Sequence, residues 1–257
     1  MSHSTIDAVA QALVRARGAR LACPAAEVAG GLAQADEAYA VQQQVAQALG
    51  WFGVAPPRYW KAGGPSRDAV LTHAPLPQRG VWTSPATAGD WPFHLRGIEA
   101  ELAFRLGADL PPRGLPYTRD EVAGAIAEVL PVIEVAETRL IDWLDASPSA
   151  LLADLLCHGG LVLGEPAPFE RAWLDLAQTE VVMHFDAQVV AHTVGEHTHP
   201  DVGGLLVWLA NEGAARGQGL RAGQVVTTGS CTGMLFASQG TAVRAEVKGL
   251  APLHARF

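Results

Sequence analysis

The 257-residue chain has no paired-cysteine framework, no block of basic residues and no long apolar run. Its three cysteines, Cys23, Cys157 and Cys231, are odd in number and widely spaced. That excludes a small disulfide-stapled fold and favours free thiols in a reducing compartment. Eighteen Lys and Arg against 26 Asp and Glu give a net charge of −8 without a basic cluster, so no nucleic-acid partner is expected. No stretch approaches ~18 uninterrupted apolar residues, and the opening Met-Ser-His-Ser-Thr-Ile-Asp lacks the basic start and apolar run of a leader. A soluble cytoplasmic protein with no membrane partner is the expectation. What the chain does have is apolar bulk. At 49% hydrophobic residues it supports a real core, in one large domain or a small domain joined to a larger one.

Ile6, Val9, Ala10, Leu13 and Val14 recur at helical spacing, which predicts an opening helix capped by Ser4 or Thr5 and stopped by Gly18. Ala38, Val41, Val45 and Leu49 mark a second helix, with Asp36 as N-cap and Gly50 as stop. Residues 51–96 are rich in Pro, Gly and Trp and have no clear period. This predicts irregular structure or short strands around a site, with Trp51, Trp60, Trp82 and Trp91 drawn inward. Thr118 and Glu121 form a capping box that opens a helix to about Val129, closed by Pro131, and residues 131–137 read as a strand. Val202, Leu205, Leu206 and Leu209 predict a late helix, and residues 224–228, 242–247 and 252–256 predict short strands. The order is α+β rather than a regular βαβ alternation.

The most informative stretch is Gly-Ile-Glu-Ala-Glu-Leu-Ala-Phe at 97–104. Its apolar/polar alternation predicts a half-buried strand with Glu99 and Glu101 on one face. Two strand steps separate their Cβ atoms by roughly 6.6 Å. Ionised carboxylates drawn to about 5 Å would repel by roughly 3 kcal/mol at an effective dielectric of 20. A divalent cation removes that cost. Alone, the pair is as readily two solvated glutamates. Glu134 adds weight, because it is a carboxylate among Val132, Ile133, Val135 and Ala136 and needs a partner or a metal. A buried salt bridge to Arg139 or Lys61 is the alternative. All-oxygen ligation suits Mg²⁺, Mn²⁺ or Ca²⁺.

Seven segments occur in one order through most of the chain: Ala38-Tyr39-Ala40-Val41-Gln42, Trp60-Lys61-x-Gly63-x-x-Ser66, Glu99-x-Glu101-x-Ala103-Phe104, Ile133-Glu134-Val135, Gly-Leu-Val-Leu-Gly at 160–164, Trp208-Leu209-Ala210-Asn211 and Thr228-Gly229-Ser230-Cys231-Thr232. Together they resemble the hydratase/decarboxylase branch of the fumarylacetoacetate hydrolase superfamily. The resemblance implies a mixed β-sandwich roll after a small helical N-terminal part, divided as 1–75 and 76–257. It implies Mg²⁺ or Mn²⁺ on Glu99, Glu101 and Glu134, with Lys61 as the catalytic lysine beside the metal. A lowered pKa would let Lys61 pass protons, and the alternative is a salt-bridging role.

The activity implied is hydration of a 2-hydroxypenta-2,4-dienoate or 2-oxopent-4-enoate type of 2-oxo acid in aromatic catabolism, by a homo-oligomer. Decarboxylation of a 4-oxalocrotonate-type acid, or acylpyruvate hydrolysis, is the close alternative. Ser230 and Thr232 are candidates for the substrate carboxylate, with turn chemistry as the other explanation. Cys157 stands where the branch often has serine, which makes it a further candidate substrate contact. Gln78 stands where the branch often has an acid, and it cannot transfer a proton as a carboxylate does. Both departures leave open a non-catalytic relative that binds a 2-oxo acid or a partner subunit. His158 reads as a core or supporting histidine, and His197 and His199 as members of a solvated loop between Gly195 and Pro200. Asp154 either orients the site or caps a helix.

Overall fold

The computed structural model describes residues 3–29, 32–64, 66, 68–199 and 201–257. Three helices come first: α1 (His3–Ala19), the single turn α2 (Ala26–Ala29) and α3 (Ala35–Ala48). Ser4 and Thr5 lie inside the first turn of α1 rather than at its cap. In α3 the cap position belongs to Gln34, not Asp36, and Glu37 accepts the backbone N–H groups of Ala33 and Gln34. Gly50, with φ +64°, follows the helix as expected, because that conformation costs glycine little.

The Pro, Gly and Trp-rich segment resolves into four short strands, β1 (Tyr59–Gly63), β2 (Thr72–Leu76), β3 (Val81–Thr83) and β4 (Ala86–Thr87), ahead of the long β5 (Gly97–Leu106). Thr118 caps α4 (Arg119–Ala125), its side chain accepting the Glu121 N–H, and β6 (Ile126–Ala136) follows at once. Here the sequence expectation fails. The helix ends at Ala125, and Pro131 sits inside β6 opposite Leu102. The apolar run from Val129 gains more by pairing with β5 along its whole length than by continuing the helix. Proline's lone carbonyl still accepts the Gly164 N–H at 2.8 Å.

After α5 (Pro148–Ala153) come β7 (His158–Leu163), β8 (Ala167–Pro168), β9 (Glu180–Phe185) and β10 (Gln188–Val194). The long helix α6 (Val202–Ala215) precedes β11 (Val225–Ser230), β12 (Leu235–Phe236), β13 (Ala242–Val247) and β14 (Leu253–Arg256). One nine-stranded sheet runs β2-β1-β11-β5-β6-β7-β3, with β12 on β5 and β8 on β6, and a five-stranded sheet runs β10-β9-β13-β14-β4. Because β1 and β2 belong to the large sheet, the helical part that stands outside it ends before Tyr59 rather than at residue 75.

The main core joins the two sheets with α4 and α6. A second core packs Val9 and Leu13 of α1 against Val41 and Val45 of α3, Leu140, and Leu152 of α5. β5 is not half-buried as predicted. Both its faces are covered, which leaves its glutamates little water. No helix among the described residues is long and apolar enough to cross a membrane.

Candidate metal centre and active site

Strand register builds the site. Glu99 on β5 lies directly opposite Glu134 on β6, and Glu101 follows two steps along the same face. On the other side, β11 pairs with β5 and β1 runs parallel to β11, which places Lys61 beside Thr227. One carboxylate oxygen from each of Glu99, Glu101 and Glu134 lies within 4.8 Å of the others. Lys61 Nζ is 2.7 Å from Glu134 Oε2, an ion-pair contact rather than an aligned hydrogen bond, and it donates to the Leu156 carbonyl at 3.1 Å.

A bulge in β11 completes the cradle around Glu101. Between the pairs Thr227–Ala103 and Ser230–Glu101, β11 carries one residue more than β5, and Gly229 takes φ +105° there. The Gly229 N–H donates to Glu101 Oε2 at 3.1 Å, and the Thr227 hydroxyl donates to the same oxygen. Glu101 Oε1 is buried with no donor. A buried carboxylate oxygen without a donor, facing two more carboxylates, is a hard all-oxygen donor set that fits Mg²⁺, Mn²⁺ or Ca²⁺.

Burial pushes Glu101 well above the usual carboxylate range, and the charges of Glu134 and Glu99 add to that. Burial also raises Glu99, against the pull of Lys61 and the Ser230 hydroxyl. Glu134 behaves oppositely. Burial lifts it, yet Lys61 and the His158 hydrogen bond outweigh that lift and hold it at about 2. Burial works to lower Lys61, but Glu134, Glu99 and Glu101 raise it above its ordinary value, so the expected depression is reversed. The cluster therefore holds an ammonium–carboxylate pair and two carboxyls that favour a proton until a further positive charge arrives.

The segment beneath Lys61 is strained. Leu155, Leu156 and Cys157 all have positive φ, 59°, 55° and 60°, where each side chain costs roughly 1–2 kcal/mol. Asp154, fully buried, anchors this turn. Its carboxylate accepts from the Thr138 hydroxyl at 3.0 Å, from Arg139 N and Nε at 2.8 Å each, and from Arg17 Nη2 at 2.8 Å. Asp154 stands at the C-cap position of α5, but its side chain takes Arg139, leaving Lys61 as the ion partner of Glu134. The outcome is a Leu156 carbonyl aimed at Lys61. Just after the turn, His158 donates from Nδ1 to Glu134 Oε1 at 3.1 Å, and burial lowers its pKa toward the neutral ring. Cys157 is buried, and its thiol is pushed up to about 11 by burial and by Asp154, so it stays protonated.

Ser230 reaches Glu99. Thr232 does not turn to the cluster: its hydroxyl accepts the Ala100 N–H at 3.1 Å and donates to the Gly233 carbonyl at 3.0 Å. Gln78 is exposed in the turn after β2. The loop expected to be solvated is packed. His197 is 1% exposed, accepts the His199 N–H at 2.9 Å and sits 3.4 Å from the Thr228 hydroxyl, while Pro200 lies outside the described residues. Thr227 and the Leu156 carbonyl escaped the sequence analysis, and Gly229 entered it only as part of a motif, since no local pattern marks a bulge or a left-handed turn of leucines.

The model of the fumarylacetoacetate (FAA) hydrolase C-terminal family matches residues 72–257, more than half of the chain. The chain belongs to the fumarylacetoacetate hydrolase family. Among curated relatives, the 2-keto-4-pentenoate hydratase of Paraburkholderia xenovorans is 27% identical over 165 residues, 64% of this chain and 60% of that protein. The chain thus matches only about 60% of the length of this and a second curated hydratase relative. The 2-keto-4-pentenoate hydratase 1 of Dechloromonas aromatica is 26% identical over 234 residues, 88% of this chain and 87% of that one. Among solved structures, 4-oxalocrotonate decarboxylase from Pseudomonas putida G7, complexed with magnesium and adipate, superposes with a TM-score of 0.85 at 21% identity, covering 100% of this chain and 98% of that one. That likeness shows the family fold, with its curled mixed sheets and few helices.

Proposed function

We propose that this family member is a divalent-cation-dependent hydratase, a carbon–oxygen lyase adding water to a 2-hydroxypenta-2,4-dienoate or 2-oxopent-4-enoate type of 2-oxo acid in aromatic catabolism. The observation that carries the reading is the convergence of three buried-face carboxylates with Lys61 on neighbouring strands. Relatives that bear hydratase names support it, and the magnesium of the decarboxylase structure supports a divalent ion.

Glu99, Glu101 and Glu134 would hold Mg²⁺ or Mn²⁺. When bound, the cation supplies Lewis acidity toward a 2-oxo oxygen. Three carboxylates, a dication and the Lys61 ammonium sum to zero, so an anionic substrate is no longer repelled. With its raised pKa, Lys61 acts as a charged donor that steadies negative charge developing on the substrate, rather than as a base. His158 and the Leu156 carbonyl fix Glu134 and Nζ in place. The Ser230 hydroxyl orients Glu99 and is the nearer candidate for the substrate carboxylate, with Thr232 and Cys157 as the other candidates. The same proposal includes a cytoplasmic homo-oligomer.

The test is turnover of 2-hydroxypenta-2,4-dienoate with Mg²⁺, read by loss of dienol absorbance and by NMR of the product. A 4-hydroxy-2-oxo acid is expected. Release of CO₂ from a 4-oxalocrotonate-type acid, or cleavage to pyruvate, would assign decarboxylation or hydrolysis instead, readings that the exposed Gln78 keeps in play. Binding of a 2-oxo acid without exchange of its C3 protons in D₂O would mark a non-catalytic relative.

A further inference from the structure

The segment that joins β10 to α6 is bonded to the strand that builds the cradle of Glu101. Its first residue, Gly195, takes φ +69° and approaches the Ala177 carbonyl so closely that a Cβ would fall 2.3 Å from the oxygen. The Gly195 N–H donates to the Thr179 carbonyl at 3.0 Å, which pins the start of the segment to the chain just ahead of β9. His197, Thr198 and His199 then make contact with β11 and β1.

The contacts to β11 fall on either side of Gly229. Thr198 donates twice to the Ser230 carbonyl, from its backbone N–H and from its hydroxyl, each at 3.1 Å. A Cβ at Gly229 would lie 3.1 Å from Thr198 Oγ1, so the two chains meet closely there. On the other side, the buried His197 ring stands 3.4 Å from the Thr228 hydroxyl. Thr228 donates its own proton to the Leu102 carbonyl at 2.9 Å, and His197 Nδ1 accepts the His199 N–H at 2.9 Å. Nε2 therefore carries the ring proton and points it at Thr228, which fixes the tautomer. His199 in turn lies against β1 beyond Lys61, where a Cβ at Gly64 would fall 3.4 Å from its Nε2.

Thr228 and Gly229 occupy the bulge, where the ladder between β11 and β5 is interrupted. Pairing with β5 thus does not fix the direction of the Gly229 N–H, which is the donor to Glu101 Oε2. Ser230, held by its carbonyl, carries the hydroxyl that bonds Glu99. Two of the three carboxylates take a donor from the stretch of chain that this segment holds.

We propose that His197 and Thr198 are positioning residues for the cation site, clamping the bulge so that Gly229 and Ser230 orient Glu101 and Glu99. They act through β11 rather than on the cation. The assignment rests on the cation-site reading of the glutamate cluster. Groups that orient metal ligands in this way typically carry roughly 10–100-fold in metal affinity.

The experiment is titration with Mn²⁺, followed by electron paramagnetic resonance, of the unmodified chain, His197→Leu, His197→Gln and Thr198→Val. Amide hydrogen exchange of the metal-free chains, read by NMR, accompanies it. We expect His197→Leu and Thr198→Val to bind Mn²⁺ at least about tenfold more weakly, with faster exchange at the Gly229 N–H while the β5 and β6 amides keep their protection. A glutamine amide can donate to Thr228 as Nε2 does, so His197→Gln should recover most of the affinity. Mn²⁺ held by His197→Leu and Thr198→Val as tightly as by the unmodified chain would overturn the proposal and leave the cation-site reading intact. Loss of protection throughout the large sheet would make the two residues merely structural and also overturn it. Should His197→Leu fail to fold, Thr198→Val, which keeps the side-chain volume, decides by the same criteria. An unmodified chain that binds no Mn²⁺ would overturn the cation-site reading itself, and this proposal with it.

Discussion

Replacing Lys61 with methionine removes the ammonium 2.7 Å from Glu134 Oε2 while keeping most of the apolar stem. Glu134 has no exposed surface, and its remaining donor is His158 at 3.1 Å. Deleting one member of a buried ion pair costs about 3–5 kcal/mol, because the stranded charge stays desolvated without its compensation. For a chain of this size that is a fall in melting temperature of roughly 10 °C.

The pH dependence has a definite sign. Lys61 and His158 hold Glu134 at about 2 against burial, and without the lysine the folded-state pKa rises above the unfolded one. A group raised in this way is costliest when ionised, so the defect is largest at neutral pH and shrinks as acid protonates Glu134. Urea unfolding at neutral pH in EDTA should show the loss. Saturating MgCl₂ should return about 3 kcal/mol, the stabilisation conferred by a ligand at roughly 100 times its Kd. A Lys61→Met chain as stable as the unmodified one in EDTA would refute the electrostatic account of the cluster.

Two further perturbations test other parts of the structure. His73 is buried against Tyr39, Trp60 and Trp208 with neither ring nitrogen partnered, and burial lowers it to about 4. Its contribution to stability is therefore present above the unfolded value and lost as pH falls from about 6.5 through about 4. Denaturant titrations of His73→Gln should lack a component of about 3 kcal/mol that the parent loses in that window, and identical pH profiles would contradict the assignment. Asp154→Asn leaves the crowded guanidiniums of Arg17 and Arg139 without their shared counter-charge. A loss of about 3 kcal/mol in urea unfolding is expected, together with weaker cation binding as the Leu155–Cys157 turn relaxes, and an unchanged cation affinity would separate Asp154 from the site.

The parts of the fold visible in the sequence were those set by local rules. The period-two pattern of 97–104 placed Glu99 and Glu101 on one face, and the Thr118/Glu121 box opened α4 where expected. Glu134 stood out because a carboxylate in an apolar strand needs an explanation. The misses came from long-range pairing. Pro131 reads as a helix stop, but β5 recruits the residues on both sides of it into a strand. β1 carries no strong period of its own, and it becomes a strand because β11 and β2 flank it, which is how Lys61 reaches the carboxylates. Thr227 and Gly229 serve Glu101 only through a bulge, and His158 serves Glu134 only because three residues ahead of it turn left-handed under the grip of Asp154. The residues alone offered Lys61 only as one of two salt-bridge partners for Glu134, a contact the structure has, and the resemblance to a known family grouped it with all three glutamates.

The most direct measurement is titration of the metal-stripped chain with Mn²⁺, following bound ion by electron paramagnetic resonance and released protons by pH-stat. The raised pKa values of Glu101 and Glu99 require that binding expel protons and that affinity fall as pH is lowered. A single bound Mn²⁺ displaced by Mg²⁺, with proton release, and lost in both Glu101→Gln and Glu134→Gln is the predicted result. Absence of a bound ion at millimolar Mn²⁺, or binding in both variants as tight as in the unmodified chain, would contradict the account.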